Sequence, residues 1–528
     1  MKKKMSLIIL AMAVLLAEPA LSWGEEPLSL SLEECILRAL QDNLQVAVEI
    51  YNPEIADVTL TRAREVFMPR FDLSYGNRRT EEPSYWWIQG AATVTGSYRD
   101  YSLSLIQQIP TGGNFSVSLS GDKSDTNQAF QLINPRYGST LRFEFNQPLL
   151  KDFGFKVSRK EILIAQNNLE ISQHRLKSVL LDTIYQVQEA YWNLVYTIQD
   201  HKVKQQSLKL AKDLLAKNQK EVEVGKLAPI EVLNAEAVVA SREAEILQAE
   251  ALIRANEDLL KNIINIAEEQ QVPFRRIVPT DEPAFMKKEV TMDEALDRAY
   301  ALRPDLEMKR TEIETNELNL SIAKNQMLPG LNFNLSYWSP GISGDRVIYL
   351  DNNPLTGIIV GTEEGSSTES LTDALKLTYN NWQASITLSI PLSNFLTKAE
   401  LAKAKLELDK SQLELENVQK QILLEVKNAV RDIETSAKRV EAFGLARELA
   451  EKRLEAEVKK LEVGLTTNYF VLQFQEELAT ARSQEIRAVI DNNLAWAKLE
   501  KALGISLDKR NIKLPQSFPR RKESREGK

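Results

Sequence analysis

The sequence contains very few of the residues on which disulfides, metal sites and most enzyme active sites depend. Its 528 residues include one cysteine and two histidines. A lone cysteine cannot form an intrachain disulfide, and we expect Cys35 to be a small buried side chain. His174 and His201 stand far apart on one predicted helix, and the sequence shows no nucleophile elbow, phosphate-binding loop or metal-spaced cluster. We therefore predict that the protein is not an enzyme and has neither a metal site nor a cofactor.

Long hydrophobic runs are also missing after the start of the chain. No later segment has eighteen or more consecutive apolar residues, so the sequence predicts no membrane-spanning helix. The start itself differs, because three lysines precede apolar residues 7–16 and small residues follow. This pattern predicts a secretory signal peptide at residues 1–24. An exported chain of this kind is expected either to be soluble outside the inner membrane or to enter an outer membrane as β-strands.

No single sign of charge dominates the chain. The 66 basic and 74 acidic residues are mixed along it, which suits solvated helices and argues against a nucleic-acid partner. Basic residues gather only at the end. We predict that residues 509–528 form a basic flexible tail, and a partner-docking arm is the alternative.

What the chain does contain is a very long amphipathic helix. Residues 158–224 have no internal proline or glycine, and apolar residues recur there at alternating three- and four-residue steps. Such a helix would be about 95 Å long, and its apolar seam needs partner helices alongside. Gly225 ends it, and Pro229 opens a helix that runs back. We predict a long helical hairpin of coiled-coil type at about residues 155–267.

The same order of parts occurs twice. Residues 30–34 align with 290–294, and residues 222–225 align with 461–464, so the sequence predicts an internal duplication. We assign the first structural repeat to residues 25–288 and the second to 289–508. The second long hairpin is predicted at about residues 397–503, with its turn at Gly464.

Between the helices, each repeat has segments in which apolar and polar residues alternate. This alternation predicts β-strands at about residues 70–147 and 331–390. Residues 339–377 are polar and rich in glycine, and we predict a loop at the strand tips there. The first strand region is the longer one, so we expect additional or longer strands from the first half. The expected helix–strand junctions are four prolines, because the residue before a proline disfavours helix: Pro69, Pro148, Pro329 and Pro391.

Each group of strands is too small for a sandwich of its own, although a soluble sandwich remains an alternative. In lipid, every backbone group must be paired, which requires a closed barrel. One chain offers four to six strands, whereas membrane barrels begin at about eight. The fold class predicted is α+β, with a duplicated helix, strand and long-hairpin unit and a membrane β-barrel assembled from several chains.

The duplicated order, together with three short motifs, resembles the TolC-type outer membrane efflux protein family, the outer membrane factors. The motifs are residues 147–149 (Gln-Pro-Leu), 190–194 (Ala-Tyr-Trp-Asn-Leu) and 463–468 (Val-Gly-Leu-Thr-Thr-Asn). The resemblance implies a homotrimer in the outer membrane of a Gram-negative-type cell, with a β-barrel in outer membrane lipid continued by a long α-helical periplasmic barrel. It also implies a periplasmic adaptor (membrane fusion) protein and an inner-membrane transporter as partners.

In such proteins the hairpin turns form the periplasmic aperture, and the residues six and nine positions after each turn glycine face the constriction. The resemblance thus implies an aperture at Glu231 and Asn234 after Gly225, and at Phe470 and Gln473 after Gly464. Phe470 departs from the acidic residue usual in the family, so closure there would be apolar. The alternatives are that Phe470 packs between helices and that Glu231 is an ordinary solvated acid in a first helical turn.

The function implied is that of a passive export duct, serving efflux or type I secretion, coupled to the pump through the adaptor. The alternative is a non-channel periplasmic coiled-coil adaptor or scaffold whose strands pack as a soluble domain. Sequence reasoning does not separate drug efflux, metal efflux and protein secretion.

Overall fold

The computed structural model describes residues 28–266 and 276–512. The predicted signal peptide, and the predicted tail from residue 513 onward, lie outside the described residues. The chain forms two compact units. Unit 1 takes in Met1–Tyr51, Arg175–Pro304 and Val418–Lys528, as far as these are described, and unit 2 takes in Asn52–His174 and Asp305–Asn417.

The elements are numbered here in chain order. Helices α1 to α10 are Leu32–Asp42, Leu44–Arg64, Phe155–Ser158, Lys160–Glu223, Ile230–Ile263, Met292–Leu302, Pro304–Gln326, Ser367–Leu375, Phe395–Glu462 and Asn468–Leu503. Strands β1 to β9 are Leu28–Leu30, Arg70–Pro83, Thr93–Gln108, Asn114–Thr126, Ile133–Pro148, Ile277–Pro279, Gly330–Tyr349, Ile359–Glu363 and Asn381–Ser389. Within the two described stretches, no helix is both long enough and apolar enough to cross a membrane.

The core of unit 1 forms around α4. Tyr191 on α4 is fully buried, and its hydroxyl donates to the Asp281 carboxylate at 2.8 Å. Burial raises the pKa of this phenol. Cys35 on α1 is fully buried in the same cluster, as predicted, and burial raises its thiol pKa to about 12. The parallel pair β1–β6 lies beside it.

The first helix of each repeat begins differently. Ser31 forms a capping box with Glu34, in which each side chain bonds the other residue's backbone N–H. The Glu34 pKa lies below its ordinary value because of these bonds to Ser31. Thr291 precedes α6 at the corresponding place, but its side chain caps no backbone N–H.

Unit 2 contains an antiparallel sheet in the order β2-β3-β4-β5-β7-β8, with β9 also pairing with β7. β7 pairs with β9 over residues 330–338 and with β8 over residues 346–349. The first repeat therefore supplies four strands and the second supplies three. The two regions predicted to contain strands, about residues 70–147 and 331–390, hold β2 to β5 and β7 to β9 respectively.

The prediction of a loop over residues 339–377 was wrong. β7 continues to Tyr349, and β8 and α8 follow within the segment. The glycines there serve close packing rather than loop flexibility. A Cβ on Gly341 would lie 1.9 Å from the Ser370 carbonyl oxygen of α8, so only glycine allows α8 to lie this close to β7.

At the helix end of the sheet, the β3–β4 turn packs against the segment that leads into α3. The Gly154 N–H donates to the Thr111 carbonyl at 3.0 Å. Gly112 has φ +99°, and a Cβ there would lie 2.2 Å from the Asp152 carbonyl oxygen. The four prolines named as junctions lie at this end too: Pro69 and Pro329 directly before β2 and β7, Pro148 at the end of β5, and Pro391 just after β9.

Candidate functional site

The two long hairpins turn through the same backbone motif. The Gly225 N–H donates to the Val222 carbonyl at 2.9 Å, and the Lys226 N–H to the Glu221 carbonyl at 2.8 Å. At the other tip, the Gly464 and Leu465 N–H groups bond Leu461 and Lys460 in the same pattern, at 3.1 and 2.9 Å. Both glycines have positive φ, +72° and +77°. These are Schellman ends, which satisfy the last helix carbonyls and require a left-handed residue.

At the first tip, α5 starts directly after Pro229, and Glu231 lies half-buried in its first turn. A carboxylate is favoured at this end of a helix by the backbone dipole. Asn218, fully buried on α4, donates from Nδ2 to the Glu231 carbonyl at 3.4 Å. Asn234, one turn further along α5, is exposed. A neutral amide therefore ties the two arms of this hairpin together.

The second tip carries an aromatic group. Phe470 is 45% exposed, and its ring stacks on that of Phe474 with centroids 6.5 Å apart. Tyr469 contacts Phe470 edge-on at 5.6 Å. Phe474 is buried, and the Arg453 guanidinium lies 4.1 Å from its ring centroid. Phe470 thus uses one face for packing and leaves the rest of its ring open.

Gln473 lies on the same open side of α10 as Phe470. It is exposed, and its Nε2 donates to Glu477 Oε1 at 3.1 Å. Arg453 on α9 bridges to the same Glu477 at 3.1 Å. Gln473 therefore belongs to a surface network that joins the two arms of the second hairpin.

A carboxylate ties α9 to the turn of this tip, where the first tip has an amide. Glu457 on α9 is 8% exposed and accepts from Thr466 Oγ1 at 2.5 Å and from Lys460 Nζ at 3.1 Å. The bond from Thr466, followed by that from Lys460, lowers the pKa of Glu457 below its ordinary range. Glu457 is therefore charged at neutral pH.

The two tips share one apolar cluster. It joins Ala211, Leu214, Ala235 and Val239 of the first hairpin to Val471 and Leu472 of the second. Ala235 follows Asn234 directly, and Val471 and Leu472 lie between Phe470 and Gln473. The four residues predicted for the aperture therefore flank a common core, and their own side chains lie at its margins.

Sequence reasoning missed Arg242, which is buried in the groove between the hairpins. Its side chain is 4% exposed; Nη2 lies 3.2 Å from Glu476 Oε2 and 3.5 Å from the Leu472 carbonyl. Its Nε and Nη1 have no protein partner, and it lines a cavity of about 320 Å³. Burial lowers the Arg242 pKa, and Glu476 opposes that shift. The helical spacing of Ala235, Val239 and Arg242 was a usable signal, because it places an arginine in an apolar seam.

The side chains described at the hairpin tips make apolar, aromatic and ionic contacts. Within residues 28–266 and 276–512, no group of three or more His, Cys, Asp or Glu side chains could hold a metal ion. His174 lies 4.0 Å from Glu170, and His201 lies 3.8 Å from Glu250, both on helix surfaces.

A model of the outer membrane efflux protein family matches residues 114–265 and 295–505. Among curated protein sequences, none matches the chain. Several solved structures share its fold. A membrane protein from Pseudomonas aeruginosa is 15% identical with a TM-score of 0.63, over 89% of this chain and 93% of its own. The Campylobacter jejuni outer membrane channel CmeC is 16% identical with a TM-score of 0.62, over 92% and 90%. The Vibrio cholerae outer membrane protein VceC is 17% identical with a TM-score of 0.60, over 90% and 96%.

Proposed function

Because the chain belongs to the outer membrane efflux protein family, we propose that it is the subunit of a passive export duct that crosses the periplasm and the outer membrane. The observation that carries the proposal is the family match, which spans both hairpins and strands of both repeats. The sheet of unit 2 supports it with one largely apolar face, on which Phe71, Leu73 and Trp382 are 63%, 76% and 72% exposed. Large apolar side chains in such number on one exposed face indicate a lipid or protein partner.

The subunit is proposed to assemble as a homotrimer in the outer membrane. Each hairpin buries one side in its own chain and exposes another row of apolar residues, among them Leu406 and Leu413 on α9 and Leu247 and Leu252 on α5. Neighbouring copies would cover these rows, as long amphipathic helices require. The helices would then enclose a tunnel that continues from the barrel.

The hairpin tips are the proposed docking end for a periplasmic adaptor and an inner-membrane transporter. Val224, Val463 and Leu465 beside the two turn glycines are 67%, 68% and 77% exposed. Apolar residues at the apex of a turn gain nothing in water, so a partner surface accounts for them best. The pump rather than the duct would select the cargo.

The aperture is proposed to lie at Glu231, Asn234, Phe470 and Gln473. Phe470 is the residue with the strongest support, because its ring is anchored by Phe474 yet 45% exposed. Three such rings brought together in a trimer would narrow the tunnel by apolar contact and exclude water. Glu231 and Gln473 would form polar surroundings for that constriction.

Reconstitution in planar bilayers tests the proposal directly. The purified folded protein is expected to conduct and to migrate differently on gels before and after heating. A periplasmic scaffold without a pore would neither conduct nor show heat-modifiable migration in outer-membrane fractions. If folded trimers never conduct, the duct must be abandoned.

Experiments in cells can identify the class of compound that the proposed duct exports. Deleting the gene and measuring sensitivity to a panel of toxic compounds is expected to reveal the class exported, and restoring the gene on a plasmid is the control. A secretion role would instead leave sensitivity unchanged and remove specific proteins from the culture medium.

A further inference from the structure

The sheet of unit 2 presents one apolar and one polar face across six strands in register. One row of directly paired residues runs through Phe71, Leu105, Val117, Phe143, Tyr337 and Trp382. The adjacent row, on the opposite face, runs through Asp72, Ser104, Ser118, Arg142, Trp338 and Asn381. Since faces alternate along a strand, all six strands turn their apolar residues to the same side. β3 and β4 are therefore part of the same wall as the other four.

The connections of β3 and β4 support this. The β3–β4 turn lies at the helix end of the sheet, where it packs against Asp152 and Gly154, whereas the β2–β3 and β4–β5 connections lie at the far end. The strands hence run up and down across the full sheet. β2 to β5 have 13 to 16 residues each, and β9 has 9, enough to cross a bilayer when tilted.

β8 and α8 belong to the far end. β8 has 5 residues and pairs only with residues 346–349 of β7. α8 packs on the face that carries the apolar rows, over Gly341 and Ser139, and its Ser370 hydroxyl lies 2.9 Å from that of Ser139. It lines a cavity there with Leu73, Leu103 and Leu119. Among the described strands, β2 pairs only with β3 and β9 pairs only with β7, so one edge of each has no strand partner.

β2 and β9 are the two ends of the six-strand wall in the described chain. β2 runs away from the helix end and β9 runs back towards it, so β9 of one copy and β2 of another are antiparallel when placed side by side. In lipid, unpaired strand edges are not tolerated. We infer that β9 of each copy pairs with β2 of the next, so that every chain contributes six strands to the barrel wall.

The register carries a quantitative check. Arg70 at the start of β2 shares a row with Gln383, yet β9 continues six residues further towards the helix end, to Ser389. If the end of β9, Ser389, lies opposite Arg70 of the next copy, the register shifts by six residues over the six strands of one chain. Such a shift corresponds to a strand tilt of about 35°, using about 3.3 Å per residue and about 4.8 Å between strands. Membrane barrels have tilts of about 35 to 45°. The same stagger places Ser385 of one copy opposite Ser74 of its neighbour.

The pairing stands on the sheet alone, whereas the total number of strands rests on the trimer of the proposed function. Three copies give eighteen strands and a wall about 34 Å across, a size at which barrels hold an aqueous channel. The barrel would be wide, and the constriction would lie elsewhere.

Paired cysteines test the contact between copies. In a Cys35→Ala background, Ser74→Cys with Ser385→Cys is expected to give disulfide-linked dimers and trimers on denaturing gels after mild oxidation. Ser74→Cys with Asn381→Cys, four residues out of register on the same face, is the matched control and is expected to link at least fivefold less. Linkage within single chains, or none at positions 383, 385 and 387 in folded heat-modifiable protein, would overturn the pairing.

Single cysteines on β4 test whether the β3–β4 hairpin is part of the barrel wall. Ser118→Cys, on the polar face, is expected to react with a membrane-impermeant thiol reagent at least tenfold faster than Val117→Cys on the apolar face. Equal rates would remove β4 from the wall and with it the count of six. Linked copies that never conduct would refute the duct but not the pairing, whereas conducting protein without linkage would refute only the pairing.

Discussion

The two hairpin tips have the same backbone and different side chains. Both turns are Schellman ends with a glycine at φ +72° or +77°. Seven residues before the glycine, the first tip has Asn218 and the second has Glu457. Ten residues after it, the first has Ala235 and the second has Phe474, and all four side chains are buried.

The backbone hydrogen bonds of the turn are common to both tips, whereas the surrounding side chains differ. The hydrogen-bonded turn needs only a left-handed residue, so the side chains around it are free to differ. In both tips a buried polar group seven residues before the glycine bonds a residue beyond the turn glycine, by donation to the Glu231 carbonyl on α5 in one and by acceptance from Thr466 of the turn in the other. The first tip is small and neutral, and the second is aromatic and charged.

The largest expected effect comes from removing the aromatic anchor. Phe474→Ala is expected to weaken the second tip by about 3 kcal/mol, because it empties a buried site beneath Phe470 and Arg453. Hydrogen exchange of amides 466–478 measures the loss as a local opening free energy. Phe474→Leu, which keeps most of the volume, is the control. Unchanged protection would mean that the aromatic group is not what holds this tip.

Replacing either turn glycine with alanine is expected to lower the stability of its tip by the same amount. Gly225→Ala and Gly464→Ala should each cost roughly 1 to 2 kcal/mol, since a left-handed backbone is strained for alanine. Nothing lies within 4 Å of a Cβ at either position, so strain is the whole effect. Exchange at the amides flanking each turn would measure it. A clear difference between the two variants would contradict the equivalence of the turns.

The aperture prediction separates the tips by function. Phe470→Ala is expected to raise single-channel conductance severalfold, because an apolar constriction would be widened and wetted. Glu231→Ala, at the matching place in the first tip, is expected to change ion selectivity more than conductance. If Phe470→Ala left conductance unaltered and lowered thermal stability, Phe470 would be a packing residue.

Much of this fold was predictable, because its main signals are periodic. Long amphipathic helices and alternating strands were visible in the sequence, and the TolC-type architecture that the family resemblance implied is shared by the solved structures. The loop predicted at residues 339–377 failed, since glycine marks flexible turns and close packing alike. Gly341 is the example: its missing Cβ makes room for the Ser370 carbonyl.

The details of the tips were less predictable. The exposure of Phe470 depends on Phe474 and Arg453, and Arg453 comes from the other arm of the hairpin. Arg242 occupies an apolar position in the heptad pattern, and a pattern of that kind does not show whether a buried charge finds a partner. The contact of Arg242 with Glu476 depends on how the two hairpins pack against each other.

The smallest expected effect depends on the titration of a single group. Bonds from Thr466 and Lys460 hold the Glu457 pKa below its ordinary value of 4.5. A depressed carboxyl pKa contributes stability that is present above the ordinary pKa and is lost as the pH falls through the depressed one. Asn218 does not titrate, so acid should loosen the second tip and leave the first unaffected.

Hydrogen exchange between pH 7 and pH 3, corrected for the intrinsic pH dependence of amides, tests this difference. Protection around Gly464 is expected to fall at the acid end relative to protection around Gly225. Glu457→Gln keeps an acceptor for Thr466 and cannot ionise, so it should make the second tip as insensitive to pH as the first. If both tips lost protection together in the wild-type protein, the acid response would come from somewhere other than Glu457. The Asn218 amide and the Glu457 carboxylate would then stabilise their turns equally at acid and neutral pH.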